Sequence, residues 1–175
     1  MSTPAGVVFD TDVLVGASLH DVGTWRRWPS IPPISPSRYA DCLGIVGDPF
    51  IDDWALWLSF GLLELAASDL ADPSRHGWDH RMVERYVQRL VEVATDSGGG
   101  ILTAHKVLGP KAPDRVRAVW GTAVGARAVL IVSDDDRTHR HSPWPVTKGG
   151  YASYGTHAVR ADLFRTRVDA ARRVR

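Results

Sequence analysis

Long apolar runs are missing from this 175-residue chain. No stretch approaches the roughly 20 consecutive apolar residues that a membrane-spanning helix needs, so no membrane partner is expected. The opening MSTPAGVVFD lacks a basic segment leading into an apolar one, which argues against a secretory signal and makes the cytoplasm the expected location. Cysteine is almost absent. Cys42 stands alone, can close no internal disulfide, and reads as a small packed side chain rather than a nucleophile. Charge of one sign is lacking too: a formal net charge of +1 does not mark the whole molecule as a polyanion binder. Internal repeats and low-complexity tracts are missing. Gly98-Gly99-Gly100 is not followed by Lys-Ser/Thr, so it reads as a turn and not as a phosphate loop. His139 and His141 have no companions at zinc-ligand spacing and read as loop histidines.

What is present is an alternation of short apolar runs with longer periodic segments. The length suits one domain over 1–175 that buries a core without disulfide or metal support. Val7–Phe9 reads as a buried strand ending at Asp10, followed by a helix from Asp12 to Leu19. Prolines 29, 32, 33 and 36 make the stretch from Trp25 to Ser37 a loop, and a short helix follows near Ser37–Gly44. Trp54–Leu58 is a second strand, and Ser59 caps a helix that Pro73 stops. Asp79–Thr95 has apolar residues at helical spacing, ended by the three glycines. Ile101–Ala104 reads as a third strand, Pro113–Val124 as a helix, and Ala128–Val132 as a fourth strand. A loop covers His139–Thr156, His157–Arg160 is a last strand, and a basic helix occupies about 161–175. Strands alternating with helices predict an α/β fold, a three-layer α/β/α sandwich around a central parallel sheet.

In such a sheet, sites form beyond the carboxyl ends of the strands. Asp10 stands at the end of the first strand, and Asp134, Asp135 and Asp136 stand at the end of the fourth. Glu64 lies in the helix after the second strand, and Asp114 opens a helix. Carboxylates that share one mouth repel each other unless a cation compensates. Oxygen ligands without cysteine or paired histidine suit Mg²⁺ or Mn²⁺ rather than zinc. A single acid of this kind is a helix cap or a solvated charge; several at one sheet edge point to a site.

Four blocks in order carry a resemblance. The opening Val7-Val8-Phe9-Asp10-Thr11-Asp12-Val13-Leu14-Val15 resembles the start of PIN domains, a strand ending in Asp-Thr-Asn and then Val-Leu-Val. Trp57-Leu58-Ser59 through Leu62-Leu63-Glu64-Leu65 is similar to the family's strand-Ser segment and its acidic helix. Lys111-Ala112-Pro113-Asp114-Arg115-Val116 resembles the segment in which an Asp opens a helix. Gly125-Ala126 through Leu130-Ile131-Val132-Ser133-Asp134-Asp135 resembles a turn, a buried strand and Ser/Thr-x-Asp. The end, Ala158-Val159-Arg160-Ala161-Asp162-Leu163-Phe164, is similar to the family's last strand and helix.

The resemblance implies a metal-dependent endoribonuclease. Asp10, Glu64, Asp114 and Asp135 would be catalytic, binding Mg²⁺ or Mn²⁺ together with Asp134, and Thr11 and Ser133 would support them by hydrogen bonds. The Ser-x-Asp pattern selects Asp135, whereas Asp-x-Asp would select Asp134 and Asp136. Position 12 departs from the family's Asn, adding a charge or capping the first helix. The implied partners are RNA, with single-stranded DNA as a second substrate, a small antitoxin protein as in toxin-antitoxin pairs, and a second copy of the chain. Two alternatives use the same residues. Asp10-Thr11-Asp12 also fits, loosely, the start of haloacid-dehalogenase-like phosphatases, with Asp10 as nucleophile and Ser59 in a supporting role. The other alternative is a PIN-like binding module without catalysis.

Overall fold

The computed structural model of the chain describes residues 3–19, 38–48, 53–143 and 155–166. The proline-rich loop expected before Ser37, Trp25, Trp28, Trp144 and the basic tail beyond 166 lie outside the described residues. Eleven elements follow one another: β1 (Ala5–Phe9), α1 (Thr11–Leu19), α2 (Arg38–Gly47), β2 (Trp54–Ser59), α3 (Phe60–Ala71), α4 (His80–Asp96), β3 (Gly100–Leu102), α5 (Asp114–Ala126), β4 (Leu130–Val132), α6 (Asp136–Arg140) and β5 (His157–Val159). Helical backbone resumes over 161–166. All five expected strands form, and the α/β sandwich is as expected. The difference lies in α6, where a helix replaces the start of the expected loop.

The strands form one sheet in the order β3-β2-β1-β4-β5. Each neighbouring pair is parallel, with Val7 opposite both Leu56 and Leu130. Every strand therefore presents its carboxyl end at the same edge. The chain adds β2 and β3 on one side of β1, then returns to add β4 and β5 on the other. The strand order thus reverses between β1 and β4, and a parallel sheet opens a crevice at such a point.

A strand's side chains alternate between faces, so a parallel strand covered on both sides needs apolar residues at every position. Val7, Val8 and Phe9 are all fully buried. Val7, Phe9, Leu56, Leu58, Leu130 and Val132 pack on one face with α1, α2, α4 and most of the apolar side of α3. Val8 and Ile131 pack on the other with Val116, Val119, Trp120 and Ala123 of α5. Phe164 closes the first core edge-on to Phe9 and Trp54, with ring centroids 5.7 and 5.1 Å away.

Local chemistry sets the boundaries. Ser59 ends β2 and caps α3, its Oγ accepting from the Leu62 amide at 3.3 Å. Asp79 caps α4 in the same way at 2.9 Å from the Met82 amide. Gly99 enters β3 where no larger residue fits, since a Cβ there would stand 1.8 Å from the Leu56 carbonyl oxygen. No helix among the described residues is long and apolar enough to cross a membrane.

Candidate active site

Asp10 sits at the reversal point of the sheet. Its amide continues the ladder to the Val132 carbonyl at 3.0 Å, and its own carbonyl accepts from the amides of Val13 and Leu14. The residue thus ends β1 and starts α1, and the backbone at both sides fixes its side chain. That side chain is wholly buried. Its Oδ1 accepts from the Thr11 amide at 2.7 Å and the Thr11 hydroxyl at 3.3 Å. Its Oδ2 accepts from Ser133 Oγ at 2.7 Å and from Thr138 Oγ1 at 2.6 Å. Donors therefore surround the carboxyl, which is how a buried carboxyl is tolerated. Thr11 and Ser133 take the supporting places that the resemblance implies. Thr138 is a third support that the sequence did not reveal. The indole of Trp120 holds it in place by donating to the Thr138 carbonyl at 2.9 Å.

Asp12 closes the crevice from the β1 side. Its Oδ1 accepts from the Val13 amide at 2.8 Å, and its Oδ2 accepts from the Asp134 amide at 2.7 Å. Burial and then the neighbouring charge of Asp10 push its pKa up from 3.8 to about 6, against the opposing pull of the Asp134 amide, Arg115 and the Val13 amide. Asp12 is therefore a second acid beside Asp10 and a tie between two strand ends.

The three acids after β4 divide. Asp134 is pinned by Arg38 Nε at 2.8 Å, the Tyr39 hydroxyl at 2.9 Å and the Ala161 amide at 3.1 Å. Burial alone would raise its pKa, but these partners together hold it below the usual carboxylate range. Tyr39 reaches it because Gly16 leaves room: a Cβ at Gly16 would stand 2.2 Å from the Tyr39 ring. Asp135 caps α6 and takes a forked contact from Arg137, Nε at 3.1 Å and Nη2 at 2.8 Å. That contact lowers its pKa. Its amide donates to Ser133 Oγ at 3.1 Å, which links it to the Asp10 cradle. Asp136 is exposed and pairs with Arg160 and Arg140.

Glu64 and Asp114 lie elsewhere on this edge. Glu64 is exposed on α3. Asp114 is the first residue of α5, its side chain 80% exposed and paired with Arg117. Among the described residues, no three His, Cys, Asp or Glu side chains are grouped so as to hold one metal ion. Arg115, the residue after Asp114, faces Asp10. Its Nε lies 3.5 Å from Asp10 Oδ1. Its charge also acts on Asp12 and on Asp135, lowering the pKa of each.

Asp10, Asp12 and Asp135 bring carboxyl oxygens to this edge, and Ser133 connects Asp10 to Asp135. Ser59, which the phosphatase alternative needs, is buried and occupied by the Leu62 amide and by the Thr122 hydroxyl at 2.7 Å. His139 and His141 turn to the backbone, each 2.7 Å from a carbonyl oxygen, of Ser133 and Arg137 respectively.

Comparison of the chain with protein-family models, with curated proteins and with solved structures finds no match.

Proposed function

We propose that the chain is a divalent-metal-dependent endonuclease of the PIN type, acting on RNA. The observation that carries this reading is the buried Asp10 at the β1/β4 reversal, cradled by Thr11 and Ser133, with Asp12 and Asp135 beside it. A phosphodiester is cut by in-line attack, so such a site needs little more than fixed charge and position. The chemistry a divalent ion supplies when bound is polarisation of a phosphoryl oxygen and neutralisation of developing charge.

The chain's own residues do the positioning. Asp10 would hold the ion with oxygens that four donors already orient. Asp12 and Asp135 would share its charge, with Asp114 and Glu64 joining from the rim. Arg137 and Arg160, both substantially exposed on the same edge, suit the flanking phosphates. The phosphatase alternative needs Ser59 in a supporting role, yet Ser59 is buried and already engaged by the Leu62 amide and the Thr122 hydroxyl. One observation favours the non-catalytic alternative, namely the neutralisation of Asp10 by Arg115 within the chain.

The test is cleavage of mixed RNA and single-stranded DNA with Mg²⁺, with Mn²⁺ and with chelator. RNA cleavage that chelator stops supports the nuclease. Binding of RNA without cleavage under every metal condition would leave the binding module. A small antitoxin-like protein or a second copy of the chain would be sought by co-purification from the native source.

A further inference from the structure

Helix α3 opens at the carboxyl edge of the sheet, because Ser59 both ends β2 and caps the helix. The register that sets Val7 beside Leu56, carried forward along both strands, brings Ser59 level with Asp10. Phe60 is the next residue. It stands 64% exposed, the most exposed large apolar side chain among the described residues. A lone surface hydrophobe ordinarily needs no explanation, but the surroundings of this one set it apart. Gly61 brings α3 against α5, where a Cβ on Gly61 would stand 3.9 Å from the Ala118 Cβ. Arg115 lies one turn before Ala118 on the same face of α5, beside Asp10 and partly exposed.

Lys111 completes the group. The Ala112 amide donates to the Gly109 carbonyl at 3.1 Å, and Arg117 Nη1 donates to the Pro110 carbonyl at 3.4 Å. The loop that carries Lys111 is thus tied to the first turn of α5. Lys111 itself is exposed and enters no ion pair among the described residues. The opposite flank of Asp10 differs. There Arg38, Arg137 and Arg160 are each paired with one of the three acids after β4. The exposed ring and the uncommitted lysine therefore share one flank, where α3 and α5 meet. An unpaired polynucleotide uses that combination, since every base offers a face to an aromatic ring and every linkage offers a negative charge. In a duplex the bases stack on one another, so the occupant that fits is a single strand.

We propose that Phe60 is a base-stacking platform at the rim of the crevice, with Lys111 and Arg115 holding phosphates of the stacked strand. The inference rests on the RNA reading above and deepens it, naming a positioning residue and the flank over which the strand arrives. Arg137 and Arg160 then lie on the far side of the cut.

The test is equilibrium binding of a fluorescent single-stranded oligoribonucleotide of mixed sequence, in chelator so that nothing is cut. It compares the native chain with Phe60→Leu, Phe60→Trp, Lys111→Gln and Arg85→Gln. Phe60→Leu keeps an apolar side chain but loses the ring face, and is expected to bind about tenfold more weakly. Phe60→Trp restores a ring and is expected to bind at least as tightly as the native chain. Lys111→Gln is expected to bind about threefold more weakly, with a shallower salt dependence. Arg85→Gln removes an equal, exposed charge from α4, on the opposite face of the sheet, and is expected to stay within about twofold. Native-like binding by Phe60→Leu, or equal losses in Lys111→Gln and Arg85→Gln, overturns the inference, as does a native chain that binds no oligonucleotide. The nuclease reading is judged apart, by cleavage with Mn²⁺. Phe60-dependent binding without cleavage supports the platform and removes the nuclease. Cleavage by Phe60→Leu at the native rate, at limiting RNA, overturns the platform and leaves the nuclease standing.

Discussion

The carboxylate of Asp12 accepts the amide of Asp134 at 2.7 Å, so the two strand ends that flank the crevice are tied by an acid whose pKa is raised to about 6. A raised folded-state pKa means that ionisation costs the folded state. The contribution is fully present below the unfolded value of 3.8 and is lost as pH rises through about 6. Asp134, Asp135 and Asp136, all lowered, act in the opposite sense and below the usual carboxylate range. Metal-free protein is therefore expected to lose stability between 3.8 and about 6, by an amount of order 2 kcal/mol, and Asp12→Asn to flatten that slope. Urea unfolding across this range checks it. An identical slope in Asp12→Asn would contradict it.

Asp10 gives a prediction that the sequence pointed the other way on. A crowd of carboxylates suggests that removing one relieves repulsion. With four donors turned on its carboxyl, Asp10→Ala instead strands Ser133, Thr138 and the Thr11 amide, at a cost of about 3 kcal/mol or more. Thr138→Val, which removes one hydroxyl, is expected to cost about 1–2 kcal/mol. Denaturant midpoints would measure both, and a stability gain in Asp10→Ala would show that repulsion dominates after all.

Asp114 and Glu64 separate fold from function. Both are exposed, so Asp114→Asn and Glu64→Gln are expected to leave stability within about 0.5 kcal/mol of the native chain. Each is expected to lower metal-dependent RNA cleavage about tenfold or more, by removing a charge that draws the cation. Near-native cleavage in both would confine the metal ligands to Asp10, Asp12 and Asp135.

Cys42 is fully buried on α2, its Sγ 3.6 Å from the Ala161 carbonyl oxygen, and burial pushes its pKa well up. The thiolate is the reactive form, so a disulfide reagent is expected to modify Cys42 about a hundredfold more slowly in the native protein than in denaturant. Similar rates in the two conditions would place the thiol at the surface.

Much of this was legible in the sequence, and the exceptions share a cause. Val7-Val8-Phe9 announces a doubly buried strand because three apolar residues in a row leave no polar face. Ser59 and Asp79 announce helix starts through cap chemistry. Ser133 was legible as support for a strand-end acid only through the resemblance, which implies a hydroxyl there; its own residue pattern would not single it out. Helix α6 was missed because five residues carry no helical period, although Asp135 is its cap. With α6 went Thr138, which reaches Asp10 across 128 residues of sequence. Arg115 was not legible, since an arginine near a helix start looks like any solvated charge. Its role depends on what β1 and β4 bring opposite it, and no local pattern contains that.

The most direct test of the central claim is a time course of RNA cleavage by the native chain and by Asp10→Asn, each with Mn²⁺ and with chelator. Because Asp10 is the acid on which the crevice converges, the account predicts cleavage by the native chain with Mn²⁺, none with chelator, and a loss of about a hundredfold or more in Asp10→Asn that folds normally. Cleavage that survives chelator, or that folded Asp10→Asn performs at the native rate, would contradict it.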